Sequence, residues 1–178
     1  MPATTAARRF RRWWPRLAFI VALAALVFAD QRGGLLVRQN DDLRIYHGRK
    51  IRVTQVIDGD TIDVDLPDAL RERAFTRVRL IGVDCPEAAH AGNAAELRAD
   101  VATALTRSLC ENAEVTLWME ASQPRDIFGR VLAHVELRDR RRLNEELLRQ
   151  GLATADDRWP HTLLMRYAQV ETAARRTK

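Results

Sequence analysis

Two short stretches carry residue types that could do chemistry: Asp58-Gly59-Asp60-Thr61 and Arg79-Leu80-Ile81-Gly82-Val83-Asp84-Cys85-Pro86-Glu87. Each closes a strand-like run. Val53 and Ile57 lead into the first. Ile62, Val64 and Leu66 then alternate with Thr61, Asp63 and Asp65, the pattern of a hairpin with one buried face. The second reads as a buried strand that breaks at Pro86, whose ring forces Cys85 into an extended conformation. If the two strands are neighbours in one sheet, Asp60, Asp84 and Glu87 converge. Clustered oxygen donors suit a hard divalent cation such as calcium or magnesium. Without a cation the carboxylates repel one another and raise each other's pKa.

Taken singly, each residue has an ordinary explanation. Asp-Gly is a turn signal. Arg79 between Val78 and Leu80 suits a structural ion pair, and Asp84 and Glu87 suit a solvated loop around Pro86. The elements that would position them must therefore be read as well. Strands are expected at about 51–57, 61–66, 75–83, 114–119 and 130–137, with a turn over Pro67–Arg73. Asn93 with Glu96 three residues on forms a capping box. The helix it starts should bury a stripe of Leu97, Val101, Leu105 and Leu109. A short helix is expected from Leu143 to Gln150, stopped by Gly151. A last helix starts at Pro160, with Leu163, Tyr167, Val170 and Ala174 as its stripe. Five short strands with three α-helices fit a small closed barrel (α+β), compatible with the five-stranded OB-fold used for nucleic acids.

The 178 residues suffice for one domain with a real core plus an extension. The formal charge of +5 and the pI near 10 suggest a polyanion binder, but the distribution weakens that reading. Five arginines, Arg8, Arg9, Arg11, Arg12 and Arg16, precede the first acidic residue, Asp30. The remainder balances 24 basic against 24 acidic residues. A polyanion must then be held by local arginines.

Residues 1–29 have the layout of an export signal: a basic start, then 13 apolar residues from Leu17 to Ala29. That is shorter than the roughly 20 residues a membrane span needs. Cleavage before Asp30 is expected, with an uncleaved membrane anchor as the alternative. Residues 30–47 read as a polar linker and residues 48–178 as the domain, placed outside the cytoplasm. There Cys85 and Cys110 have two open fates, one disulfide or two separate buried thiols.

Four motifs in register resemble the staphylococcal nuclease (thermonuclease) family over about residues 50–176. They are Asp58-Gly-Asp-Thr61, Arg79 to Glu87, Asp126-Ile-Phe-Gly-Arg130, and Asn144 to Ala153. The resemblance implies an OB-fold barrel with three helices that hydrolyses phosphodiesters of DNA and RNA with calcium and leaves 3′-phosphate ends. It implies Asp60 and Asp84 as side-chain metal ligands, with Cys85 ligating through its backbone carbonyl. It implies Glu87 as general base on the attacking water, and Arg79 and Arg130 as phosphate clamps. That chemistry suits the residue types. A divalent ion offsets phosphoryl charge, an arginine fork supports building charge, and a carboxylate takes the water's proton.

The chain also departs from the family. Cys85 stands where many members have threonine. The family's Lys-Tyr-Gly-Arg run is Ile127-Phe128-Gly129-Arg130 here, leaving Phe128 to stack on a base. Where the best-known member places base-contacting tyrosines, this chain has Thr154-Ala155-Asp156-Asp157-Arg158-Trp159, whose acids should repel phosphate. Asp126 reads as structural, Asn144 as a cap or buried hydrogen-bonder, and His90 as a solvated loop residue. The rival reading is a non-catalytic nucleic-acid- or protein-binding module tethered to the membrane. It predicts loss of a site residue, and none is lost. A monomer is expected.

Overall fold

The computed structural model describes residues 35–86 and 93–177. Residues 1–34, which include the segment read as an export signal, and Glu87 and His90 lie outside the described residues. The chain divides into a unit ending at Asp41 and a second running from Asp42 to Lys178. Helix α1 is Leu35–Tyr46, where a linker was expected. Its last turn belongs to the second unit. Tyr46 is buried in the core, and Asp42 is buried against Arg125, whose Nε and Nη2 donate to its two oxygens at 2.7 and 2.8 Å. The folded unit therefore starts at Asp42, ahead of the expected boundary at 48. The segment's charged residues concealed this, because Asp42 is buried as one half of an ion pair.

Five strands close a barrel in the order β1 (Lys50–Asp58), β2 (Thr61–Val64), β3 (Thr76–Leu80), β6 (Val131–Glu136), β5 (Glu114–Trp118). β1 pairs back with β5, so the barrel has no free edge. β3 and β6 run parallel and the other pairs antiparallel. β1 is kinked by register shifts between Val53 and Gln55 and between Val56 and Asp58, which lets one strand serve two neighbours around a tight curve. Val53, Val56, Ile62, Val64, Val78, Leu80, Val115, Leu117, Val131, Ala133 and Val135 fill the interior. This is the barrel of OB type that the strand pattern predicts.

The expected strand over 75–83 is two strands. β3 stops at Leu80, and β4 (Val83–Asp84) follows a turn at Ile81-Gly82, where Gly82 has φ 77°. A Cβ on Gly82 would sit 2.4 Å from Nε2 of His161, so both backbone angle and space call for glycine. Asn144 fastens this turn to β6: its Oδ1 accepts from Val135 N and its Nδ2 donates to Ile81 O, both at 2.9 Å.

Helix α2 (Asn93–Cys110) buries only the second half of the expected stripe. Leu105 and Leu109 pack partly buried against the core, but Leu97 and Val101 are exposed, and Ala99, Ala102, Thr106 and Cys110 are the residues fully buried. A strict repeat of four drifts around a 3.6-residue helix, and small residues win because the helix lies close on the Asp58-Gly59 turn. Thr106 Oγ1 donates to Gly59 O at 2.7 Å, and a Cβ on Gly59 would fall 2.8 Å from those of Ala102. After α3 (Leu143–Arg149), β7 (Thr154–Ala155) pairs with β4. α4 is Leu164–Arg176, later than the expected start at Pro160, because Thr162 is held by Glu120 through both its backbone N and its Oγ1. Tyr167 is its fully buried residue.

Tyr167 meets a buried histidine. His134 Nδ1 and Tyr167 Oη are 2.7 Å apart, and His134 Nε2 lies 3.3 Å from Glu120. Burial pushes the His134 pKa down from its ordinary 6.5 to about 4, and burial lowers His161 as well. A depressed histidine pKa means that the unfolded chain binds more protons, so stability is complete above about 6.5 and is lost as pH falls toward 4. Urea unfolding should therefore show a loss of about 2 kcal/mol between pH 7 and pH 5 from His134. His134→Gln should flatten that slope; an unaltered slope in the variant would assign the effect elsewhere.

Candidate functional site

The β1–β2 turn brings Asp60 beside the end of β3. Thr61 is in register with Arg79, and Leu80 N donates to Asp60 O at 2.8 Å. Arg79 is 4% exposed, and both of its terminal nitrogens are engaged. Nη1 contacts Asp60 Oδ2 at 2.5 Å and donates to Val83 O at 3.1 Å, and Nη2 donates to Asp84 Oδ1 at 2.7 Å. The Gly82 turn makes this possible by folding Val83 and Asp84 back over Arg79. Asp60 Oδ2 also accepts from Cys85 N at 2.7 Å, and Thr61 Oγ1 donates to Oδ1 at 3.3 Å. Asp60, Arg79, Asp84 and the backbone of Cys85 thus form one cluster drawn from three segments of chain.

The cluster is short of positive charge. Burial raises the Asp60 pKa from its ordinary 3.8 to about 7 and the Asp58 charge adds to the rise, outweighing the opposing pull of Arg79. Asp58 stays close because its Oδ1 accepts from Asp60 N at 3.0 Å. Asp60 and Asp84, which already share the Arg79 cation, are oxygen donors of the type a hard divalent ion takes. No group of three acid, histidine or cysteine side chains fit to hold a metal stands together among the described residues, and Glu87 is outside them. Cys85 and Cys110 are buried free thiols, so the two-thiol outcome holds. Burial pushes both upward, Cys110 to about 12.

Arg130 and Phe128 are not joined to this cluster by a hydrogen bond or ion pair among the described residues. Arg130 precedes Val131, which pairs with Val78, so it stands at the start of the strand next to β3. Its Nε donates to Asp126 Oδ2 at 2.6 Å, and its guanidinium lies 5.5 Å from the centre of the exposed Phe128 ring. Asp126 is structural, as expected: its Oδ1 also accepts from Phe128 N and Arg130 N.

Sequence reasoning missed Arg158. Its Nη2 donates to Asp84 Oδ1 at 2.6 Å, and its Nε is held by Asp156 Oδ2 at 2.8 Å. The β4–β7 pairing sets this loop beside the site, where Asp156 N donates to Gly82 O. Asp156 is therefore no free repulsive charge; it aims an arginine at Asp84. The Asp-x-Arg spacing hinted at the local turn, but nothing in the sequence revealed the partner across the chain.

Residues 77–178 match the family described as staphylococcal nuclease homologue. That span takes in Arg79, Asp84 and Arg130 and begins after Asp60. A thermonuclease of Staphylococcus intermedius is 34% identical over 140 residues, covering 78% of this chain and 77% of that protein. A thermonuclease of Staphylococcus hyicus is 36% identical over 104 residues, 58% of this chain and 57% of that protein.

Arg158 competes with any added cation for Asp84, and both are about half exposed, so their pair contributes about 0–1 kcal/mol to stability. Arg158→Ala should leave thermal unfolding nearly unchanged while tightening calcium binding measured by titration calorimetry. Weaker calcium binding would show that Arg158 does not oppose a cation there.

Proposed function

The chain belongs to the staphylococcal nuclease family, and from that premise we propose that it hydrolyses phosphodiester bonds of DNA or RNA in a calcium-dependent reaction. The carrying observation is the convergence of Asp60 and Asp84 on the Arg79 guanidinium. A position between two carboxylates that already accommodates one cation suits a second. Asp60, Asp84 and the Cys85 carbonyl would hold the calcium, which supplies Lewis-acid stabilisation of a phosphoryl oxygen when bound.

The remaining roles fall to the chain's own side chains. With the carboxylate charge offset, Arg79 can turn its planar fork from Asp60 and Asp84 toward the phosphate oxygens. Arg130, held at one edge by Asp126, keeps its other nitrogens for the same anion. Both would donate most strongly as charge builds in the transition state. Glu87 is our candidate for the base that takes a proton from the attacking water. We place the domain outside the cytoplasm on the strength of the basic and then apolar layout of residues 1–29. N-terminal sequencing of the exported protein distinguishes cleavage near Ala29 from retention as an anchor.

The full-length chain should cleave a labelled oligonucleotide in calcium and stop in excess chelator. Asp84→Asn, at a half-exposed position, should abolish cleavage with little change in melting. Undiminished cleavage in chelator would sink the metal-dependent reading. Arg79→Lys keeps charge but loses the fork. It should lower kcat by about 100- to 1,000-fold, much more than it raises KM. Near-normal turnover with a lower Tm would instead make Arg79 a purely structural partner.

A further inference from the structure

We propose that a second phosphate-binding site, built on the loop between β2 and β3, tracks the polynucleotide strand beyond the scissile bond. This deepens the nuclease reading and rests on it. An open hollow of about 180 Å³ is lined by Asp68, Arg71, Arg73, Arg77, Phe128 and Arg130, with Gly129 on its floor. It is smaller than the roughly 300–1,000 Å³ of a pocket that encloses a drug-sized molecule. Its lining is suited to charged groups passing along a surface.

The charges in the hollow are unequally committed. Asp68, its one carboxylate, is buried and paired with Arg125, which it shares with Asp42. Arg77 is spent on Asp63, through Nε and Nη2 at 2.8 and 2.9 Å. Arg71 and Arg73 are exposed and pair with no carboxylate among the described residues, so both guanidiniums remain to donate. They are nonetheless placed. Arg71 lies over the bare Cα of Gly129, where a Cβ would fall 2.2 Å from Nη1, and Arg73 sits 5.9 Å above the Phe75 ring.

Phe128, 64% exposed, stands beside these arginines. Arginines alternating with an open aromatic face are what a nucleic-acid strand needs, charge for the phosphates and a ring for a base. An acidic peptide would use the charge but leave the ring without a role. Arg130, the phosphate clamp of the proposed reaction, also lines the hollow, and it precedes Val131, whose partner Val78 is the neighbour of Arg79 in β3. Arg71 and Arg73 flank the exposed Glu72 and form no ion pair with it among the described residues, and the chain is charge-balanced beyond residue 29, so what the loop offers is two guanidiniums free to donate rather than a basic surface.

The test uses the full-length chain and the double variant Arg71→Ala/Arg73→Ala, both positions being exposed. The first readout is the ratio of kcat/KM on a single-stranded dodecanucleotide to kcat/KM on a dinucleotide. The second is the salt slope of dodecanucleotide binding by fluorescence anisotropy in chelator. In the double variant the ratio should fall about tenfold. The slope of log Kobs against log salt should shrink by about 1.4, two phosphate contacts on a single strand. Arg71→Lys/Arg73→Lys should restore most of the slope. A wild-type ratio and slope in the alanine variant would overturn the proposal. If the wild-type chain cleaves neither substrate, the nuclease reading fails and the slope alone decides: its loss supports the phosphate track, and its retention removes it.

Discussion

A buried guanidinium holds this structure's chemistry together. Arg79 and Asp60 are both almost fully withdrawn from water, and such a pair is worth keeping only when every remaining donor and acceptor is met. The fold supplies partners on both sides of the pair. Val83 O and Asp84 accept from Nη1 and Nη2 of Arg79, and Cys85 N and Thr61 Oγ1 donate to Asp60. Each partner arrives by a separate device. The barrel register sets Thr61 opposite Arg79, the left-handed turn at Gly82 folds β4 back, and Asn144 holds Ile81 to β6. Losing the register or the turn would part Arg79 from its buried partner Asp60 or from Val83, so the buried half of the site is tied to the barrel while half-exposed Asp84 is not.

The strands could be read from sequence because the barrel interior alternates apolar and polar residues, and that pattern survives in the linear chain. Four positions of the candidate site, Asp60, Arg79, Asp84 and Cys85, were legible as motifs. Their contacts depend on the Gly82 turn, which hides inside a continuous apolar run from Leu80 to Val83. Two other features were concealed by polarity. Asp42 looks like linker but is buried by pairing with Arg125. Asp156 looks like free negative charge but is consumed by Arg158. Pairings between distant charges leave no periodic trace, so pattern reading misses them. The α2 stripe was half right, with Leu105 and Leu109 against the core; its centre was missed because the helix lies close on Gly59 at Ala102, and small residues carry little hydrophobic signal.

These pairings also decide how an anion is met. A chain whose charges balance beyond residue 29 projects little field past the roughly 8–10 Å screening distance of ordinary salt. Long-range steering is therefore weak, and contact has to do what a basic surface would otherwise do. Across the described site most arginines are committed: Arg79 to two aspartates, Arg158 to Asp156 and Asp84, Arg77 to Asp63, Arg125 to Asp42 and Asp68. A committed arginine becomes available to phosphate only when its carboxylate is satisfied otherwise. At Asp60 and Asp84 a bound cation would do this. Metal and substrate would then be linked through the same two carboxylates, with Arg79 released to the substrate as the ion arrives. Coupling of that kind favours the complete assembly over either partial one, and it follows from a site holding more acid than its single buried arginine can neutralise.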